Sequence, residues 1–465
     1  FQKLIQKGLA PTDLEIRKTD EKINKIIFPG AIIYYKEKHI AVNFLKNRIT
    51  KKPGDNINLS IENLEYEFVS SILHLKKSRL DKIAFLEGNG ELSSNEVYDI
   101  VESVIKDNYR LSYYFDVERF NIKEFIIDST VMQPNLSKKI REMNKYKVII
   151  IAKPTIPFNN IDKLLVDQFI MNGGKVIWLI DGVNASMNNL KISGGSFIAM
   201  KNNVNLDDQL FKYGVRINAN LIEDLRALKI PIITGYSNNK PQQDFFTWPF
   251  YPLLISSSEH PISRGLDAVK CNFVSSIDTI RNNIQKTILL HSSKKSRLTI
   301  SPSKISLGLI ENPPPASSYN KGNQTIAILL EGKFESVFSN RILPKTNNIK
   351  FKNQSLDNKM IVISDGDFIA NEVGENKSLF PMGYDKYTNF TYMGNKHFII
   401  NAIQYLCEES NISQLKSKQL ELRMLDKQII NKYRSIIQFI NIILPQLLLM
   451  ISILLYKTYH KNKYE

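Results

Sequence analysis

Cysteine is almost missing from this sequence. Cys271 and Cys407 are its only two, too few to hold a metal cluster alone and never part of a C-x-x-C pair, so dithiol redox chemistry is excluded. A single disulfide between them stays open. No G-x-S-x-G elbow or cysteine equivalent occurs, which removes the usual strand-to-helix nucleophile. Cys271 precedes Asn272-Phe273 in no such turn, and Cys407 falls at the end of a helix. The histidines His39, His74, His260, His291, His397 and His460 lack metal-ligand spacing. Gly88-Asn89-Gly90-Glu91-Leu92 is half a phosphate loop, without the third glycine or a following Lys-Ser or Lys-Thr. The residues therefore assign no catalytic group, no metal and no cofactor. ATP hydrolysis by this chain is not expected.

What is present bounds the rest. The 465 residues suggest two or three domains, and an apolar share of 43% suffices for real cores. Lys and Arg number 62 against 46 Asp and Glu, a net +16. Such an excess points to nucleic acid or anionic lipid when it is gathered on a stripe. Here Lys and Asn are spread along the whole chain, and aromatic-basic recognition arrays are absent, so no nucleic-acid partner is expected. The Ile and Asn excess reads as a compositional bias of the source.

One long apolar run stands out, Ile436 to Tyr456 (IIQFINIILPQLLLMISILLY), with no formal charge. A helix needs roughly 20 residues to cross the hydrocarbon core. Gln438, Asn441, Gln446 and Ser452 are its clearly polar members, and Pro445 lies inside it, where a span's surroundings can satisfy the freed backbone groups. Lys432 and Arg434 precede the run, Lys457, Lys461 and Lys463 follow, and Tyr433, Tyr456 and Tyr459 flank it as interfacial aromatics do. The reading is a membrane anchor, with Gln438, Asn441, Pro445 and Gln446 as candidate contacts to other membrane helices.

The opening FQKLIQKGL reads as the continuation of a helix, so sequence upstream of Phe1 is expected. Residues 1–78 form a small α/β unit: a helix end stopped by Gly8, a strand over Thr12–Lys18, a hairpin over Gly30–Leu45, and a helix over Asn63–Leu75. That order matches the second half of a thioredoxin-like sheet. Residues 79–410 then alternate strands and helices. Strands are predicted at Lys82–Leu86, Arg110–Asp116, Val148–Ala152, Lys175–Ile180, Thr325–Leu330 and Lys359–Ile363. Helices are predicted from a Ser93/Glu96 capping box to Asp107, over Asn160–Asn172, Asp207–Tyr213 and Asn395–Leu406. Short loops between them make a doubly wound parallel sheet. Phe245–Leu254 is rich in aromatics and proline, 256–265 reads as a loop, and Asn312–Asn320 as an exposed, mobile loop. Residues 411–435 hold a juxtamembrane strand over Gln419–Leu425 and the start of a helix capped by Asp426; 436–456 cross the membrane and 457–465 form a basic tail.

Carboxylates fall at several predicted strand ends: Glu87, Asp116, Asp181, Asp365 and Asp367, with Asn89 beside the first. The carboxyl ends of an open α/β sheet form its ligand crevice, where paired carboxylates can act as acid and base. Asp-Gly and Glu-Gly after a strand are equally ordinary turn chemistry. Both readings stay open for these six residues.

Several longer stretches carry a family likeness: LIQKGLAPTDLEI (4–16), KIAFLEGNGEL (82–92), IIIAKPTIPF (149–158), DQFIMNGGKVIWLIDGVNA (167–185) and LDDQLFKYGVRIN (206–218), then EHPISRGLDAV (259–269), VISDGDFIANE (362–372), GNKHFIINAIQYL (394–406) and ELRMLDK (421–427). Over nearly its whole length the sequence resembles the gliding-motility-associated ABC transporter auxiliary (substrate-binding) proteins of the GldG family in Bacteroidetes. The resemblance implies a glutamine-amidotransferase-like α/β domain, shared with intraflagellar transport proteins, in which no position here matches the catalytic cysteine of that class. It further implies a membrane-anchored, non-catalytic subunit acting beside an ABC permease and a separate ATPase, with an unidentified substrate. A span near each end would place the soluble domain outside the cytoplasmic (inner) membrane. The basic flanks, about six before Ile436 and three after, argue mildly for the opposite orientation. The alternative reading is a membrane-tethered hydrolase or carbohydrate-binding enzyme using Glu87, Asp181 and Asp365; it requires those carboxylates to converge on one crevice with raised pKa values.

Overall fold

The computed structural model describes residues 1–465 except 18–21, 46–52, 77–78, 106–109, 126, 129–132, 238–239, 257–258, 342, 344–348, 375, 408–429, 431 and 465. The chain divides into two compact units, Phe1–Lys418 and Gln419–Glu465. The architecture is mixed α/β, with several sheets and one apolar C-terminal helix.

The first unit is built on a seven-stranded sheet. Its strands are β1 (Asp81–Glu87), β2 (Phe115–Asn121), β3 (Val148–Ala152), β4 (Lys175–Leu179), β5 (Gln285–His291), β6 (Thr325–Glu335) and β7 (Gln354–Ile363), in the spatial order β5-β6-β7-β4-β3-β1-β2. Pairing is parallel from β2 through β7 and antiparallel at β6 and β5. Successive residues of the central strands feed opposite faces, as the two-residue repeat of a strand requires. Ile83, Phe85, Ile150, Ile177, Leu179, Ile361 and Ile363 enter one apolar cluster. Ala84, Leu86, Ile149, Ile151, Val176, Trp178, Met360 and Val362 enter the other. Both faces are covered, which is why VIIIA and KVIWL read as unbroken apolar runs. The helix Gly394–Cys407 packs into the first cluster, and the helices Leu136–Met143, Asn160–Met171 and Asp207–Tyr213 into the second.

Helix Asn160–Met171 shows how locally the chain is specified. Asn159 accepts from the Ile161 and Asp162 amides at 2.9 Å, while Asp162 accepts from the Asn159 amide at 3.0 Å, a reciprocal cap. Gly173 ends it at φ +96°, a conformation that costs glycine nothing.

Several expectations need correction. The strand predicted over Arg110–Asp116 begins instead at Phe115, after a helical turn over Leu111–Tyr114 whose Leu111 is fully buried. Asp116 therefore starts a strand rather than ending one. The Ser93/Glu96 box forms, with Glu96 accepting from the Ser93 amide at 2.8 Å, but the helix after it covers only Tyr98–Glu102 among the described residues. The aromatic stretch before Leu254 belongs to a long strand, Lys240–Leu254, paired with Ala227–Ser237 and shifted in register at two bulges. Prolines in both strands hid it from a propensity reading. Tyr319 in the 312–320 loop is buried, its hydroxyl donating to Glu223 at 3.3 Å. Cys271 and Cys407 are both buried, and no disulfide joins them.

Before the sheet, Thr12–Arg17 pairs with Lys22–Ile27, a strand the sequence reading missed, and Gly30–Tyr35 pairs with Lys38–Asn43. The helix Pro53–Lys76 follows, longer than predicted, and packs on the second pair.

The second unit is a helix over Arg434–Tyr464, 31 residues with Pro445 inside, or about 46 Å of rise. Its stretch Arg434–His460 is long and apolar enough to cross a membrane. The strand expected over Gln419–Leu425 and the cap expected at Asp426 lie outside the described residues.

Candidate ligand cleft at the strand ends

The parallel strands deliver their carboxyl ends to one edge of the sheet. β3 runs out at Ala152 into Lys153, which holds φ +54° while its amide donates to the Leu179 carbonyl at 2.8 Å. A non-glycine residue in this region is uncommon and concentrates at functional sites. β4 ends before Asp181-Gly182, and β7 before Ser364-Asp365-Gly366-Asp367.

These ends knit together. Asp181 accepts from the Gly366 amide at 2.6 Å. Asp365 accepts from the Asn272 amide at 3.0 Å and the Asp367 amide at 2.9 Å. Lys153 reaches Asp367 at 2.5 Å, and Ser364 donates its hydroxyl to the Ser275 carbonyl at 2.6 Å. Three carboxyl groups and one ammonium thus sit together, Asp365 fully buried and Lys153 and Asp367 partly exposed. Burial, then repulsion from Asp367, pushes Asp181 up to about 7, against the pull of Lys153 and the Gly366 amide. Burial, then Asp181 and Asp367, holds Asp365 well above the usual carboxylate range. Burial alone would lower Lys153, but the charges of Asp367, Asp181 and Asp365 outweigh it and raise its pKa. Burial, reinforced by Asp365, pushes the Cys271 thiol up, so no thiolate forms there near neutral pH. At neutral pH the cluster retains a proton and offers both a donor and an acceptor.

Gly366 is glycine because of its neighbours. A Cβ there would stand 2.7 Å from Asp181 Oδ2 and 2.8 Å from Lys153 Cγ. Gly366→Ala should force the two apart and cost about 1–3 kcal/mol, read as a lower denaturant midpoint with an unchanged slope. A neutral substitution would mean that the cluster is loosely held.

Beside this cluster opens a cleft of about 390 Å³, with Lys153, Tyr251, Lys270, Asn272, Asp367 and Tyr387 on its walls. The Tyr251 ring meets Phe273 edge-on at 5.5 Å. Lys270 donates to the Tyr384 carbonyl at 2.6 Å, and burial, only partly offset by Asp385 and Glu372, lowers its pKa. Asn395 fixes the Lys270 backbone through both its amide atoms, at 2.8 and 2.7 Å. The Asn272 side-chain oxygen is buried without a hydrogen-bond partner among the described residues. Aromatic walls with a few convergent polar groups are the make-up of a small-molecule site.

Of the six residues singled out in the sequence, Asp181, Asp365 and Asp367 meet here. Glu87 lies at the end of β1 but pairs with Arg119, whose Nη2 also donates to the Leu92 carbonyl at 2.6 Å. Asn89 follows it, fully buried, its amide donating to Glu91 at 2.7 Å and its carbonyl accepting from Thr155 and Ile156 at 2.9 Å. Neither lines the cleft. Asp116 is at the opposite end of the sheet, 3.4 Å from Lys82. Glu87 thus stands apart from Asp181 and Asp365, and the convergence required by the hydrolase reading fails. Lys153, Tyr251, Lys270, Asn272 and Tyr387 were missed. Lys153-Pro154 passed as a loop, and the others lie in the stretch 240–273 and the late loops, where no periodicity marks them. Among the described residues, no group of three or more His, Cys, Asp or Glu side chains is placed to hold a metal ion.

No curated protein matches the chain. Among solved structures it is similar to the one titled "mmIFT52 N-terminal domain", at 13% identity and a TM-score of 0.37, over 70% of this chain and 98% of that one. The family described as "ABC-type uncharacterized transport system" matches residues 80–402, which takes in the whole central sheet and the cleft. With that match the chain belongs to this family, as an auxiliary protein of ABC-type transport whose C-terminal helix anchors it in a membrane.

Proposed function

We propose that the protein is the auxiliary, substrate-binding subunit of an ABC transporter of the gliding-motility (GldG) type found in Bacteroidetes. A separate ATPase supplies the energy and a multi-span permease the pathway. The family match over 80–402 carries this reading, and the cleft at the strand ends supports it by offering a place for a small polar substrate. In this proposal Lys153, Tyr251, Asn272 and Asp367 face the ligand, Asp181 and Asp365 brace them, and Glu87, Asn89 and Asp116 serve structure. The body over 79–410 is glutamine-amidotransferase-like, the unit over 1–78 thioredoxin-like, 411–435 juxtamembrane, and 436–456 the span ahead of the 457–465 tail. The soluble part lies outside the cytoplasmic membrane.

The anchor is proposed to meet the permease. Gln438, Asn441 and Gln446 are polar side chains on a helix that carries Pro445 inside it. Each interhelical hydrogen bond in a membrane contributes on the order of 0.6 kcal/mol. Replacing all three by Leu should therefore loosen the complex by roughly twenty-fold if the terms add. Co-purification with the permease would show it; recovery equal to the native chain would end the proposal for this face.

A further inference from the structure

The segment before the sheet carries more apolar surface than its core can use. Among the described residues the buried cluster there comprises Ile40, Val42 and Leu75, with Leu9, Ala41 and Tyr66 also buried, while Ile5, Ile26, Tyr34 and Tyr35 are 50%, 54%, 57% and 42% exposed. These apolar groups come interleaved with cations. Lys7 donates to the Tyr34 hydroxyl at 2.6 Å and lies 5.2 Å from its ring centroid. Tyr34 stacks on His39 at 5.7 Å, and Lys36 stands 5.5 Å from the Tyr35 ring. Asn43 locks the helix Gln2–Gln6 to the hairpin, accepting from the Ala10 amide at 2.8 Å and donating to the Gly8 carbonyl at 3.1 Å. The helix end and the hairpin tip, Tyr34-Tyr35-Lys36-Glu37-Lys38-His39, therefore form one surface with a single acidic side chain at the tip.

We propose that this surface docks on an anionic bilayer. Charge decides between the occupants. Protein interfaces enrich tyrosine but deplete lysine. A bilayer takes both together, the phenol at headgroup level and the ammonium against anionic lipid, with the lysine stem lying along apolar surface. The chain carries a membrane span of its own, so a bilayer is part of its surroundings. The contact is independent of the cleft and of its ligand.

Hydrogen exchange on the full chain in nanodiscs tests it, with phosphatidylcholine alone compared with phosphatidylcholine plus phosphatidylglycerol. Peptides covering 1–9 and 30–43 should exchange more slowly with phosphatidylglycerol present, and high salt should erase the difference. Lys7→Glu and Lys36→Glu should each reduce the protection roughly five-fold, with exchange in β3 and β4 unchanged as the sign that the fold is intact. Should a variant not fold, the salt series on the native chain decides alone. Exchange indifferent to lipid charge overturns the proposal. So does protection that follows protein concentration or a co-purified polypeptide, since the occupant is then a protein.

Discussion

Replacing Lys396 by Met is expected to cost about 3–5 kcal/mol, because it strips one partner from a buried ion pair and leaves the other charge behind. The Lys396 and Asp99 side chains are 1% and 0% exposed, with Nζ 3.2 Å from one carboxylate oxygen and 3.3 Å from the other. Lys396 also donates to Ser103 at 3.0 Å. Asp99 accepts in addition from the Val104 amide at 2.7 Å and the Met382 amide at 2.9 Å, while its own amide donates to Asn371 at 3.0 Å. Asp99 thus joins the helix Tyr98–Glu102 and the residues just after it to the helix Gly394–Cys407 and to Asn371 and Met382, which flank the cleft wall. Two backbone donors remain after the substitution, too few to hold a full charge out of water. Adding Asp99→Asn should recover part of the loss. Trp178 and Trp248 are both fully buried, so denaturant unfolding of the full chain in mild detergent can be followed by their fluorescence. A midpoint shift worth less than about 1 kcal/mol would mean that the pair relaxes into solvent and does not brace the cleft.

The second large effect is a stability that falls as pH rises from the ordinary carboxylate range to about 7. Folded Asp181 keeps its proton to about 7, whereas its ordinary value is 3.8. Between those values the native state binds a proton that the unfolded chain has released. The linkage slope is then negative, about 1.4 kcal/mol lost per pH unit for each such proton. Asp365, raised well above its usual value by burial, adds in the same direction. Glu118, held down chiefly by its hydrogen bond from Lys82, acts oppositely, but below its ordinary value of 4.5. Unfolding midpoints measured from pH 4.5 to 7.5 should therefore decline from the start of the series, with the Asp181 contribution levelling off near pH 7. Asp181→Asn, which cannot lose the proton, should flatten the decline. An identical slope in native and variant would show that Asp181 titrates normally.

How much of this was legible beforehand follows from how local the signals are. The strands β1, β3 and β4 and helix Asn160–Met171 could be placed to within a residue or two, because burial on both faces writes continuous apolar runs and glycine marks the stops, whereas β6 runs on to Glu335 and β7 starts already at Gln354, beyond the expected bounds. Arg110–Asp116 misled because RLSYYFD has the aromatic content of a strand, while the fold buries Leu111 in a turn first. That slip moved Asp116 to the wrong end of the sheet and into the wrong group of residues. Asp181, Asp365 and Asp367 were visible because they follow strands directly. Lys270 and Asn272 were not, since their place depends on Asn395, 125 residues away from Lys270, gripping that backbone. A contact set by tertiary packing leaves no periodicity to read.

This chain is proposed to work as the auxiliary member of a transport complex. Affinity purification of the full-length protein from its native membrane in mild detergent, with mass spectrometry of what accompanies it, tests that most directly. Stoichiometric recovery of an ABC ATPase and a multi-span permease is the predicted result. Recovery of the protein alone from intact membranes would contradict it.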